Sequence, residues 1–194
     1  MSSPMTSMAA MRSFRRDPSV TSRELPKGTV RRRILEHAAA LVADAGPAAC
    51  TVEAVAERAG LSRGGVLHHF RHRADLVLAL ARAFTDDFEA GWARAVEDAP
   101  PGPGRLARGY VAATGTTVGE RSLAPAVLLC TAAEPPVRAH VHARVRDWYA
   151  RLTAEDERED RGGRGVTSAL AADGRWLLTL LHLPPLPPEE PDGR

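Results

Sequence analysis

The chain has 194 residues, 44% of them hydrophobic and 26% charged, a composition typical of globular proteins and not of disordered ones. No apolar run reaches the ~18 residues of a membrane span, and Cys50 and Cys130 form neither a C-x-x-C motif nor a disulfide framework, so we expect no membrane association and a cytoplasmic location. Residues 1–73 carry 12 Lys and Arg against 6 Asp and Glu, whereas residues 74–194 carry 14 against 18. A basic first third favours a nucleic-acid partner for that part of the chain.

The predicted elements are helices from Val30 onward, after an N-terminal segment (residues 1–27) that we expect to be a flexible basic arm. Apolar residues recur every three or four positions, and glycine or proline ends most of the segments. The predicted helices cover about 30–45, 52–59, 63–70, 73–98, 104–119, 123–133, 135–154 and 166–183. Residues 155–165 are predicted to be a loop, and residues 185–194 a disordered tail. No segment alternates apolar and polar residues as a strand would, so the predicted fold class is all-α.

The segment 51–70 has the pattern of a helix-turn-helix. Two short helices with apolar faces flank a turn at Gly60, and Thr51 and Ser62 stand at N-cap positions. The exposed face of the second helix would be basic and free of acid, which suits the DNA major groove. Gly64 and Gly65 each cost a helix about 1 kcal/mol relative to Ala, and close approach to a phosphate or base would explain them. The alternative is a loose loop between two core helices.

Residues 33–80 resemble the N-terminal domain of the TetR family of bacterial repressors. The resemblance rests on the runs RILEHAAALVADAG, TVEAVAERAGLSRGGVLHHF and RHRADLVLAL, which keep the family's order of helices, caps and turn. Two positions depart from the family pattern. Leu67 stands where a phosphate-bonding Tyr is usual, and Arg71 stands where Pro is frequent. The ending ADGRWLLTLLHL loosely resembles the last helix of many members.

The resemblance implies a homodimeric repressor that binds double-stranded DNA at a palindromic operator and releases it when an unknown small-molecule effector binds. A three-helix helix-turn-helix head (residues 28–87) would be joined by the long fourth helix to an effector-binding and dimerisation bundle (residues 88–184). The last two helices would form a four-helix bundle with those of the partner. Thr51 and Arg73 would contact phosphates. The predicted DNA-binding residues are Thr51, Ser62, Arg63, Gly64, Gly65, Leu67, His68, His69 and Arg73.

Large side chains on the middle helices could line an effector cavity or could be plain core. The candidates are Phe84, Phe88, Trp92, Tyr110, Leu128 and Trp148, with Tyr149 as a further member.

No catalytic residue, metal site or cofactor is predicted. His68 and His72 are four residues apart, but His69 occupies the place where an H-E-x-x-H site needs Glu, and neighbouring arginines repel a cation. Two alternatives remain open: a DNA-binding regulator without a ligand, and an all-α enzyme or interaction module with an incidental basic head. Salt-dependent preference for a palindrome over random DNA would exclude the second of these.

Overall fold

A computed structural model describes residues 27–117 and 122–184. Within these residues the chain forms eight α-helices and one short 3-10 helix (Pro47–Ala49) and has no strand, which confirms the all-α prediction. None of the described helices is long and apolar enough to cross a membrane. The helices are α1 (Lys27–Ala45), α2 (Val52–Ala59), α3 (Arg63–His69), α4 (Arg73–Asp98), α5 (Arg105–Thr116), α6 (Ala124–Ala133), α7 (Pro135–Arg158) and α8 (Arg164–Leu180).

Several predicted helix ends differ from the structure by one to four residues, and two of these differences correct the predicted arm and loop. Helix α1 begins at Lys27, so the predicted arm is wrong at this residue, and the rest of the arm lies outside the described residues, as does the predicted tail. Helix α7 continues to Arg158 and α8 begins at Arg164, so the loop predicted over 155–165 is wrong at its first four and last two positions. The charged run suggested a solvated loop, yet Glu155 and Asp156 are buried inside the last turn of the helix.

Hydrogen bonds from the starts of two other helices explain the buried carboxylates. Glu155 accepts the backbone N–H groups of residues 106 and 107, at 2.6 and 3.0 Å, at the start of α5. Asp156 accepts those of residues 165 and 166, at 2.9 and 3.1 Å, at the start of α8. Arg161 forms ion pairs with both carboxylates, at 3.6 and 3.2 Å. These bonds supply the partners that buried carboxylates need, because the first amides of a helix lack partners within it.

The head (α1 to α3 with the start of α4) does not have a hydrophobic core of its own. Ile34, Val55 and Val66 are fully buried in a cluster that also contains Cys130 of α6 and Val137 of α7. A second cluster fills the remainder of the body, and its buried members are Phe88, Trp92, Ala107, Tyr110, Ala113, Trp148, Leu152 and Ala169. The head and the α6–α7 junction therefore share one continuous core.

Candidate nucleic-acid interface and ligand cavity

Local hydrogen bonds fix the limits of the helix-turn-helix. The Thr51 hydroxyl accepts the N–H of Ala54 at 3.1 Å, and the Ser62 hydroxyl accepts the N–H of Gly65 at 3.0 Å. Between the two helices, Gly60 has a φ of 64° in the left-handed region, where a residue with a Cβ would be strained. The two capping residues and this glycine set the angle at which α3 leaves α2.

The outer face of α3 is open to solvent. Arg63 and His68 are exposed, and His69 is half-buried against neighbouring rings. The Nε atom of Arg63 lies 2.8 Å from Oε1 of Glu53, and both side chains are mostly exposed. An exposed pair of this kind contributes about 0–1 kcal/mol, so Arg63 can leave Glu53 for a stronger partner at little cost.

The two glycines of α3 differ in their surroundings. A Cβ at Gly64 would meet only the Ser62 hydroxyl oxygen, at 4.0 Å, so packing within the chain does not require glycine there. A Cβ at Gly65 would lie 3.3 Å from the same oxygen, so contacts within the chain favour glycine at this position. Leu67 is half-buried against the core of the head, so part of its side chain serves packing. The contacts that we predict for these residues with DNA stay predictions.

Arg73 occupies a different environment from the one that the sequence suggested. Its guanidinium donates to the Pro47 carbonyl at 2.7 Å and to Oε1 of Glu134 at 2.6 Å. Its Nε atom is buried without a hydrogen-bond partner among the described residues. Arg73 thus joins the head to the α6–α7 junction, and a phosphate contact would require it to leave these partners. No local spacing could have revealed Glu134, which is 61 positions away.

A cavity of about 530 Å³, here called the ligand cavity, lies among α4 to α8. This volume is in the range of small-molecule sites. Of the predicted effector residues, Phe84, Phe88, Tyr110, Leu128 and Trp148 line it, as does Tyr149. Other lining residues that the sequence analysis did not name include Thr85, Thr114, Thr131, Val145, Asp173 and Trp176.

The structure corrects the placement of Trp92, which does not line the ligand cavity. Trp92 is 1% exposed in the second core cluster, and its indole N–H donates to the carbonyl of Leu106 at 2.9 Å. The guanidinium carbon of Arg151 lies 4.0 Å from the centre of its ring. Phe84, Phe88 and Trp92 have the same four-residue spacing on α4. This spacing could not predict that the first two line the cavity while Trp92 packs against α5.

Polar groups in the ligand cavity are concentrated at Asp173. Tyr149 donates its hydroxyl to Oδ2 of Asp173 at 2.7 Å, and Tyr110 donates to Oδ2 and Oδ1 at 3.0 and 3.2 Å. Burial raises the pKa of Asp173, and the two hydroxyl donors oppose that rise. Burial also raises the pKa of both tyrosines, which therefore remain protonated donors. No sequence pattern indicated a role for Asp173 in the cavity.

A second polar contact joins α4 to α7 at the edge of the ligand cavity. The Thr85 hydroxyl donates to the Arg82 carbonyl at 3.0 Å, so its oxygen accepts the proton on Nε2 of His140, also at 3.0 Å. Burial, followed by the charges of Arg82 and Arg144, lowers the pKa of His140. A neutral imidazole is thus the form that this site favours.

Comparisons with known proteins agree with this architecture. Residues 34–80 match the family profile "Bacterial regulatory proteins, tetR family", and residues 104–192 match "Tetracyclin repressor-like, C-terminal domain". No curated protein matches the sequence.

Solved structures share the fold. One is apo AibR, with 24% identity, a TM-score of 0.62 and coverage of 84% of this chain and 89% of that one. Another is a putative transcriptional regulator from Pseudomonas aeruginosa PAO1, with 22% identity, a TM-score of 0.65 and coverage of 82% and 83%. A third is AibR in complex with isovaleryl coenzyme A and operator DNA, with 22% identity, a TM-score of 0.57 and coverage of 85% and 90%.

Proposed function

Since the chain belongs to the TetR family of bacterial regulatory proteins, and is therefore a DNA-binding transcription regulator, we propose that it is a repressor controlled by a small molecule. The repressor binds a palindromic operator as a homodimer and leaves it when an effector occupies the ligand cavity. The observation that carries this proposal is that α4 contributes both to the head, at Arg73, and to the cavity wall, at Phe84 and Phe88.

In this proposal α3 is the reading helix. Arg63 and His68 contact base edges, whereas Thr51, at the start of α2, contacts a phosphate. A single α3 contacts too few base pairs to select one site among ~10⁶ competitors, so two heads on a palindrome are needed. The AibR complex is described as holding operator DNA, which supports this use of the fold. We divide the chain into a DNA-binding domain (28–87) and an effector and dimerisation domain (88–184).

Coupling between the cavity and the head follows from two connections. Helix α4 has 26 residues, a length of about 39 Å at 1.5 Å per residue. Helix α7 borders the cavity at Val141 and Val145, and Glu134, just before its first residue, is bound to Arg73. A ligand that favours one arrangement of these helices changes DNA affinity, and DNA changes ligand affinity by the same factor.

Exposed apolar residues of α8, three of which (Leu170, Gly174 and Leu177) also line the ligand cavity, provide a surface for the second copy. Leu170, Leu177 and Leu181 are exposed, and Gly174 lies between them without a neighbour within 4 Å of where its Cβ would be. These residues are spaced by four, three and four, which places them on one helical face. An exposed apolar stripe with a small residue at its centre suits close packing against the same stripe of a partner.

The test is selection of duplexes from a random library by the purified protein, followed by titration of the selected duplex at several salt concentrations. We expect a palindromic site, a linear fall of log affinity with log salt, and weaker binding of random DNA. The control is a duplex of the same composition with one half-site scrambled. Equal affinity for selected and scrambled duplexes would rule out a repressor of this type.

A further inference from the structure

We propose that the effector recognised by the ligand cavity is an apolar molecule that carries one basic amine, and that its ammonium group pairs with Asp173. This inference rests on the proposed function in one respect, because it takes the cavity to be the effector site. It goes further by assigning the chemical class of the ligand and the residue that selects it.

The walls of the cavity fit an apolar skeleton. Among the described residues that line it, Asp173 is the only one that carries a carboxyl, guanidinium, ammonium or imidazole group. The remaining lining side chains are aromatic or aliphatic apart from four threonines, and the rings of Phe88 and Trp148 lie 4.5 Å apart, centre to centre. The body of a bound molecule would therefore be held by apolar contacts, as in most small-molecule sites.

The Asp173 carboxylate has no cationic partner among the described residues. No described Arg, Lys or His forms an ion pair with it, whereas the buried carboxylates Glu155 and Asp156 both pair with Arg161. Its partners are two neutral hydroxyl groups, which donate hydrogen bonds but neutralise no charge. A half-buried anion in an apolar cavity is costly unless a cation meets it, so the site favours a ligand that brings one.

The geometry leaves room for one further donor on the carboxylate. Oδ2 receives a hydrogen bond from Tyr149 at 2.7 Å and one from Tyr110 at 3.0 Å, whereas Oδ1 receives only the longer arm from Tyr110, at 3.2 Å. A carboxylate oxygen accepts about two hydrogen bonds, so Oδ1 can take an N–H from an ammonium group.

The same feature selects against other ligands. An anionic ligand would be repelled by Asp173, and a neutral one would leave the carboxylate desolvated and without a countercharge. Arg94, together with Arg32 and its ion-pair partner Asp87, lines a neighbouring cavity of about 360 Å³ that shares Phe84, Phe88 and Thr117 with this one. A preference for anions would therefore point to that neighbouring cavity and not to Asp173.

The experiment measures binding of three probes that share one skeleton: 4-phenylbutylamine, 4-phenylbutanol and 4-phenylbutanoate. Calorimetric titration of the full chain near pH 7, where the amine is protonated, should give an affinity for the amine at least about tenfold above that for the alcohol. The carboxylate should bind most weakly. An amine that binds no tighter than the alcohol, that does not bind at millimolar concentration, or that binds more weakly than the carboxylate overturns the proposal.

Substitution of the carboxylate then assigns the effect. In Asp173→Asn the preference for amine over alcohol should fall to about twofold or less, while Asp147→Asn, which removes an exposed acid of α7, should keep it. If Asp173→Asn keeps the preference for amine over alcohol, the assignment of the ammonium group to Asp173 is overturned. If that variant does not fold, the ranking of the three probes by the unmodified protein still tests the proposal. Operator affinity is measured on the same samples. Operator binding without an amine preference refutes this inference alone, whereas an amine preference that leaves operator affinity unchanged supports the pairing with Asp173 and counts against ligand control.

Discussion

The guanidinium of Arg73 and the carboxylate of Glu134 meet at 2.6 Å, and this contact joins the first turn of α4 to the junction of α6 and α7. The side chains of Arg73 and Glu134 are only 32% and 22% exposed, so the pair is better shielded from water than a surface ion pair. Arg73, which the sequence predicts to contact phosphates, therefore connects the head to the body.

We expect Glu134→Gln to lower the free energy of unfolding by about 1–2 kcal/mol, between the values for surface and buried pairs. The released Arg73 should then contact a phosphate, which steepens the salt dependence of DNA binding by about one unit. Arg73→Gln is the control, because it also breaks the pair but supplies no charge to DNA. Identical salt slopes for Glu134→Gln and the unmodified protein would show that Arg73 does not reach the phosphates.

Arg63→Ala should weaken operator binding by about 1–3 kcal/mol and relax the preference at one base pair of each half-site. The stability of the fold should change by less than about 0.5 kcal/mol, because the pair with Glu53 is exposed. Glu53→Gln serves as the control, since it removes the partner of Arg63 and leaves the arginine available. Repeating the selection from a random library with Arg63→Ala checks the prediction, and an unchanged consensus would contradict it.

Leu181→Glu should shift the protein from dimer to monomer at micromolar concentration. The leucine is 51% exposed at the end of the apolar stripe on α8 and does not line the ligand cavity, so a buried charge would arise only at the interface between copies. Leu129→Glu makes the same change at a 41% exposed position of α6, outside the stripe, and should leave the dimer intact. Sedimentation velocity distinguishes the two variants. A dimer that survives Leu181→Glu would place the interface elsewhere.

Gly109→Ala should destabilise the body by about 1–3 kcal/mol, the usual cost of overpacking. A Cβ at Gly109 would lie 2.4 Å from the Cγ2 atom and 2.9 Å from the backbone nitrogen of Val96, so α4 and α5 would have to separate. Gly115→Ala in the same helix meets nothing within 4 Å and should be neutral or slightly stabilising. Unfolding in denaturant compares them, and equal stabilities would mean that α4 and α5 are packed less closely than described.

The protein should lose stability as the pH falls below about 6.5, in part through His140. Its pKa is lowered in the fold by burial and by Arg82 and Arg144, against a smaller opposing effect of Asp86. The unfolded chain therefore takes up this proton first, and the stability present above the unfolded pKa is lost on acidification. His140→Gln keeps an N–H for Thr85 and removes the titration, so its free energy of unfolding should fall less between about pH 7.5 and about pH 5.5. An equal pH dependence of the free energy of unfolding in the two proteins would contradict this prediction.

Local sequence signals were sufficient for the helices and the turn. The prediction of α4 over 73–98 agrees with the structure, because Pro100 and Pro101 end the helix and four-residue apolar spacing marks its face. The bonds of Glu134 and Asp173 connect residues between 24 and 63 positions apart, and no spacing rule encodes such contacts. The charged run after Leu152 was wrongly predicted to be a loop for the same reason, because Glu155 and Asp156 have their partners on α5 and α8.

The carboxylates at the end of α7 also determine where the body can deform. Glu155 and Asp156 bind the first turns of α5 and α8 to α7, so these three helices share a fixed pivot on the side away from the head. Tyr110 and Asp173 lie further along α5 and α8, beyond the turns that Glu155 and Asp156 bind. A molecule that binds at Asp173 and spreads these helices would displace them least at the pivot and most at their opposite ends, and at that end of α7 Glu134 holds Arg73.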